Sequence, residues 1–172
     1  MNRSPESDPS KSFLRRFVNR TLHLAARSLP GSMSLRPRLH RWRGVTVGQN
    51  VFIGDAVYLD NEYPEAIEIQ DDVQISIRAT IVAHTRGPGK VIIGKAAFIG
   101  PNSVIVCGAG RKLRIGEGAV IGAGCTITKS VPPRLYLAPP SPQPVARVQK
   151  PLPLASNMGE FWAGLKPLRG TE

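Results

Sequence analysis

The feature that most limits what this chain can become is a six-residue period running from Val45 to Val131. Counting in sixes from Val47, one slot recurs as Val47, Ile53, Leu59, Ile69, Ile75, Ile81, Gly87, Ile93, Ile99, Ile105, Ile115, Ile121 and Ile127. Two four-residue insertions interrupt the count, one before Ile69 and one before Ile115. Glycine follows the slot at positions 48, 54, 94, 100, 116 and 122, and a small or branched residue such as Val51, Val73 or Ala97 precedes it by two. A helix repeats near 3.6 residues and a half-buried strand at two, so this pattern belongs to neither. A short internal period of this kind marks a solenoid, in which each unit buries its apolar side chain only by stacking on its neighbours. The recurrent glycine is expected to serve the turn by accepting a positive φ.

The stretches VTVGQNVFIGDAVYLD, GKVIIGKAAFIGPNSVIV and LRIGEGAVIGAGCTITKSVPP resemble the hexapeptide-repeat acyltransferases, the group of the maltose, galactoside and serine O-acetyltransferases. The resemblance covers roughly residues 36 to 148. It implies a left-handed parallel β-helix with three units per coil and a little over four coils. It also implies a homotrimer with active sites between subunits, and acetyl-CoA as co-substrate without a metal.

Charge separates the two ends of the chain. Of 23 Lys and Arg, ten fall in residues 1 to 44 against Glu6 and Asp8, so that arm carries +8 of the total +11. Residues 1 to 10 read as a polar, disordered tail. From Lys11 to Leu29 the residues Phe13, Leu14, Phe17, Val18, Leu22, Ala25 and Leu29 recur at helical spacing, with Arg15, Arg16, Arg20 and Arg27 between them. Ser10 or Ser12 can cap this helix, and Pro30-Gly31 ends it. Such a helix can lie on an anionic membrane surface, but covering the open first coil with its apolar stripe is the favoured role. In residues 32 to 44, Leu35, Leu39 and Trp42 are expected to pack, while Arg36, Arg38, Arg41 and Arg43 are solvated or meet phosphates. A basic stretch without a recognised module is not a nucleic-acid site, and none is expected. His23 and His40 read as surface or interface residues.

The β-helix is thus expected over residues 45 to 131. Beyond it, residues 132 to 172 form a Pro-rich extension, with eight of the sixteen prolines between 132 and 153. Its end, around Met158, Phe161, Trp162 and Leu165, reads as a short helix docked on the subunit body. Cys107 and Cys125 lie inside the repeat, Cys125 at a packing position, with nothing that suggests a disulfide framework. A cytoplasmic location follows as the expectation, with contact at the inner membrane face left open. No stretch has the apolar length of a membrane span.

For chemistry, His84 is the one histidine within the repeat and is expected to point outward three residues beyond Ile81. The resemblance implies a catalytic histidine at this place, before a Gly-rich turn that leads into a V-x-I-G unit. Slots three and six share an edge one coil apart, which brings Asn61 and Glu62 to the level of His84. A carboxylate beside an imidazole fixes its tautomer and stabilises its charged form. Glu62 is assigned that role, with Asp60 and Glu65 also open. Asp60, Asn61, Tyr63 and Phe98 are assigned to the acceptor, a hydroxyl or less favourably an amine of a sugar-like molecule. Lys129 sits in the T-K pair that the family carries before V-P. Lys129, Arg134 and Arg147 are assigned to the coenzyme phosphates, although Pro142 to Arg147 departs from the family's usual ending. A γ-type carbonic anhydrase would need three zinc-binding histidines, and the repeat has one. A non-catalytic scaffold is the other alternative.

Overall fold

The computed structural model describes residues 13–168; the expected N-terminal tail and the proposed cap at Ser10 or Ser12 lie outside them. The chain divides into two units, up to Pro139 and from Pro140 onward. In the first, helix α1 (Phe13–Ser28) and helix α2 (Leu35–Arg43) precede a parallel β-helix. Its strands are β1 (Thr46–Val47), β2 (Phe52–Ile53), β3 (Tyr58–Leu59), β4 (Ile67–Ile69), β5 (Gln74–Ile75), β6 (Thr80–Val82), β7 (Lys90–Ile93), β8 (Phe98–Ile99), β9 (Val104–Val106), β10 (Lys112–Ile115), β11 (Val120–Ile121), β12 (Thr126–Ile127) and β13 (Tyr136–Leu137). Three sheets result, in the orders β1-β4-β7-β10, β13-β11-β8-β5-β2 and β12-β9-β6-β3. Four full coils and the start of a fifth follow from that order.

The register explains the repeat and corrects its count. Val47 pairs with Ile69, Ile69 with Ile93, and Ile93 with Ile115. Ile81 and Ile93 are therefore consecutive slots, and Gly87 is not a slot. It sits half-exposed in a loop at φ 133°. A third insertion had been hidden because its six residues match the repeat length. All three insertions, around residues 60–66, 83–89 and 106–111, follow strands of the third sheet and leave the coil at one corner. Inside, the aliphatic slots form one continuous core in which Ile53, Ile75, Ile99 and Ile121 are fully buried in a single column. Burying each such side chain is worth about 1.5–3 kcal/mol.

The glycines after the slots serve a different purpose from the one expected. Their φ is not positive; the left-handed positions are others, among them Asn50, Ala56, Ala96 and Asn102. What the glycines permit is close approach of successive coils. A Cβ on Gly100 would stand 2.7 Å from Ala123 N and from Gly122 C, inside the van der Waals limit of fixed backbone.

The first coil shows the largest departure from expectation. An apolar stripe was to cover it, yet an open coil edge presents unpaired backbone groups, and these need donors and acceptors more than grease. The α1–α2 pair supplies both. Arg36 donates to Ile53 O at 3.1 Å, Arg41 to Val47 O at 3.0 Å, and Arg43 to Leu59 O at 3.1 Å, one arginine for each sheet. In return Ser32 O accepts from Ile53 N and Arg27 O from Ala56 N. Arg36 also bonds Leu29 O, tying down the end of α1, and pairs with Asp55. Arg36 and Arg43 are thus buried structural residues, not solvated ones. Leu39 is buried as expected, whereas Trp42 is exposed. The apolar stripe of α1 is exposed too; Asn19, His23 and Ala26 are what the helix buries.

The second unit folds on itself. Strand β14 (Ala146–Val148) pairs antiparallel with β15 (Leu165–Pro167), and helix α3 (Met158–Ala163) lies between them in sequence. Asn157 caps α3 by accepting from Glu160 N, and Lys150 pairs with Glu160 at 2.6 Å. Among the described residues, no helix is long and apolar enough to cross a membrane.

Candidate functional site

The corner where the insertions emerge gathers the polar side chains. Asp60 directly follows Leu59, where half of the units carry glycine, and its chain turns back at once. Its Oδ1 accepts Glu62 N at 2.9 Å and Tyr63 N at 3.1 Å, a local turn of the kind Asp favours. Its Oδ2 accepts Ala83 N at 2.8 Å from the next coil and lies 2.5 Å from His84 Nδ1. The carboxylate is fully buried, while 32% of the His84 side chain is exposed. An ionised carboxylate only accepts, so Nδ1 carries the proton and Nε2 is the basic nitrogen. The ring of Tyr63 lies 5.3 Å from that of His84 at a tilt of 55°. Gly89 N donates to Ala83 O at 2.7 Å, closing the loop that carries the histidine.

Arg43 supports this arrangement from behind. It is fully buried, with Nη2 donating to Leu59 O and, at 2.8 Å, to Asp60 O. Nη1 lies 2.9 Å from His40 Nδ1. An arginine cannot accept, so His40 accepts there and is neutral. Burial pushes the His40 pKa down to about 3, and the charge of Arg43 adds to the effect. Burial, then Arg43, brings His23 to about 4. Neither ring nitrogen of His23 has a hydrogen-bond partner among the described residues, and its ring meets Tyr58 edge-on at 4.9 Å. Both histidines are therefore buried between the helices and the coil, where a surface or interface role is expected of them. Burial also lowers Arg43, to about 10, which leaves it charged at neutral pH.

A pH dependence of stability follows. A histidine whose folded pKa is depressed binds its proton more readily when unfolded. The stability that His23 and His40 leave intact above about pH 6.5 is lost as pH falls toward about 4, at about 1.4 kcal/mol per pH unit for each. Denaturant melts at pH 7 and pH 5 should therefore differ by a few kcal/mol. Equal midpoints at the two pH values would contradict the burial of neutral histidines.

The remaining sequence-assigned residues are spread more widely. Glu62 gives Asp60 its backbone N–H, and Asp60 Oδ2 is in contact with the imidazole. Asn61 Oδ1 lies 3.5 Å from Arg43 Nη2. Phe98 is in β8, on the second sheet rather than at the insertion corner. Lys129 is exposed just past β12, on the same corner as His84 and two coils further along, roughly 10 Å at the usual strand spacing. Arg134 is exposed between β12 and β13 at φ 58°, and Arg147 belongs to β14 of the second unit. Arg43 was not foreseen as part of this region. Among the described residues, no three His, Cys, Asp or Glu side chains gather to hold a metal ion.

Comparisons with known proteins point in a consistent direction. A provisionally named acetyltransferase of Bacillus subtilis, YvoF, is 35% identical over 91 residues, 50% of this chain and 51% of that protein. The bifunctional protein GlmU of Acidithiobacillus ferrooxidans is 46% identical over 66 residues, 37% of this chain and 14% of that protein. GlmU of Streptococcus pyogenes serotype M12 is 29% identical over 118 residues, 60% of this chain and 25% of that protein. The chain thus spans about half the length of YvoF and a quarter or less of these GlmU proteins. A crystal structure of serine acetyltransferase isoform 3 from Entamoeba histolytica, in complex with cysteine, aligns with 79% of this chain and 55% of its own at 17% identity. Its TM-score is 0.22, too slight a likeness to build on. No family profile matches the chain. Repeat, coil and sequence relatives agree: this is a hexapeptide-repeat β-helix, similar to the hexapeptide-repeat acyltransferases.

Proposed function

We propose that the protein is an acyltransferase that moves an acetyl group from acetyl-CoA to a hydroxyl of a sugar-like acceptor, with His84 as general base. The observation that carries this reading is the 2.5 Å contact between a buried Asp60 carboxylate and a part-exposed His84 ring. Transfer needs a base at the acceptor O–H, and a histidine held in one tautomer supplies it. His84 Nε2 takes the hydroxyl proton as the oxygen attacks the thioester carbonyl. Asp60 stabilises the imidazolium that forms. When the tetrahedral intermediate collapses, the C–S bond breaks and the imidazolium returns its proton to the departing thiolate, leaving an acetyl ester and free coenzyme thiol. In this reading Asp60 takes the pairing role first given to Glu62, while Asn61 and Tyr63 face the acceptor. Lys129 and Arg134, both exposed and basic, are the candidates in the first unit to meet a coenzyme phosphate. A homotrimer with the site shared between subunits is part of the proposal, by analogy with the family. The unpaired Cys107 and Cys125 fit a reducing, cytoplasmic setting.

The test is release of coenzyme thiol from acetyl-CoA with a panel of mono- and oligosaccharide acceptors. Acceptor-dependent thiol release, with an acetylated product seen by mass spectrometry, is the expected result. Thiol release that no acceptor accelerates, from any class of hydroxyl or amine, would remove the transferase reading and leave a scaffold.

A further inference from the structure

Helix α1 turns its less apolar side to the coil. Asn19, His23 and Ala26 are buried beneath it, while Phe13 is 85% exposed, Leu14 68%, Phe17 59% and Leu24 52%. At about 100° per residue these four, with Thr21 and Val18, fall on one continuous face. The borders of that face are cationic. Arg20 stands beside Phe13 and Leu24 on one side, and Arg15 lies past Val18 on the other; both are exposed. The helix contains four arginines and neither Asp nor Glu. A contiguous exposed apolar face rimmed by charged residues marks a contact surface.

We propose that α1 docks flat on an anionic phospholipid surface, its phenylalanines and leucines entering the headgroup boundary and its arginines pairing with lipid phosphates. Charge decides for this occupant. Residues 1 to 44 carry a net +8, so stripe-to-stripe contact with a second copy would bring like charges together. An anionic bilayer offers both an apolar interior and the opposite charge. The inner face of α1 is held to the first coil by the Arg27 O to Ala56 N bond and by Arg36 on Leu29 O. Docking therefore requires no unfolding of the helix from the body. The proposal does not depend on the acyltransferase reading.

The full chain is mixed with phosphatidylcholine vesicles with and without about 30% phosphatidylglycerol, and binding is read by sedimentation at low and high salt. The expected result is binding to the anionic vesicles at least tenfold tighter than to phosphatidylcholine alone, and weakened by salt. Phe13→Ser with Phe17→Ser should weaken it at least tenfold with unchanged melting temperature and unchanged mass by light scattering. Arg20→Gln changes an exposed side chain at the edge of the stripe; it should weaken anionic binding while leaving phosphatidylcholine binding as it was, and decides the matter if the phenylalanine variant misfolds. No binding to either vesicle, equal binding by both variants, or a drop in mass in the phenylalanine variant would overturn the proposal, the last by making the stripe a contact between copies.

Discussion

Replacing His84 by alanine is expected to lower turnover by about two to four powers of ten, the usual contribution of a positioned general base. The ring sits part-exposed in a loop and fills no inward slot, so the melting temperature should hardly move. Affinity for acetyl-CoA should also persist, because binding that is equal in ground and transition states does not depend on the base. The change therefore separates kcat from binding. A variant that keeps its full rate would remove His84 from the chemistry. One that loses its fold would make the residue structural, through the loss of a partner for the buried Asp60.

Arg43 to methionine, which keeps an unbranched apolar stem and removes the guanidinium, is expected to cost roughly 3–5 kcal/mol of stability, as when one partner of a buried charged network is removed. The loss has a clear inventory. Leu59 O, Asp60 O and His40 Nδ1 would each lose a donor inside the protein, and a buried acceptor left unmet is costly. Activity should fall with it, because the carbonyl held by Arg43 belongs to the residue whose carboxylate orients His84. Chemical denaturation and turnover measured on the same preparation check both halves. A stable variant with full activity would mean that the cap and the site are independent of this arginine.

The coil was legible because its signal is one-dimensional. Against an inward aliphatic every six residues, any insertion of another length shows as a break, whereas the one around Gly87 is six long and leaves the count unbroken. The glycines were visible too, but their reason was not, since close approach between coils is a relation between residues about 22 apart. His84 stood out as a lone histidine beside a Gly-rich turn. Its partner did not. Asp60, Glu62 and Glu65 are equal on paper, and what separates them is the tight turn in which Asp60 accepts the N–H groups of Glu62 and Tyr63 and so swings its carboxylate toward the next coil. The arginine cap was illegible for a related reason. Arg36, Arg41 and Arg43 look like any basic surface run until the carbonyls of Ile53, Val47 and Leu59 are seen to lack strand partners on that side. The orientation of α1 is not legible from apolarity, because the helix buries Asn19, His23 and Ala26 and leaves its phenylalanines outside.

Calorimetric titration of the purified chain with acetyl-CoA tests the central claim most directly, alongside the same titration of the His84→Ala variant. Saturable binding below millimolar concentration, with similar affinity in both proteins, is the predicted result. No heat of binding to either protein at millimolar coenzyme would contradict the acyltransferase account.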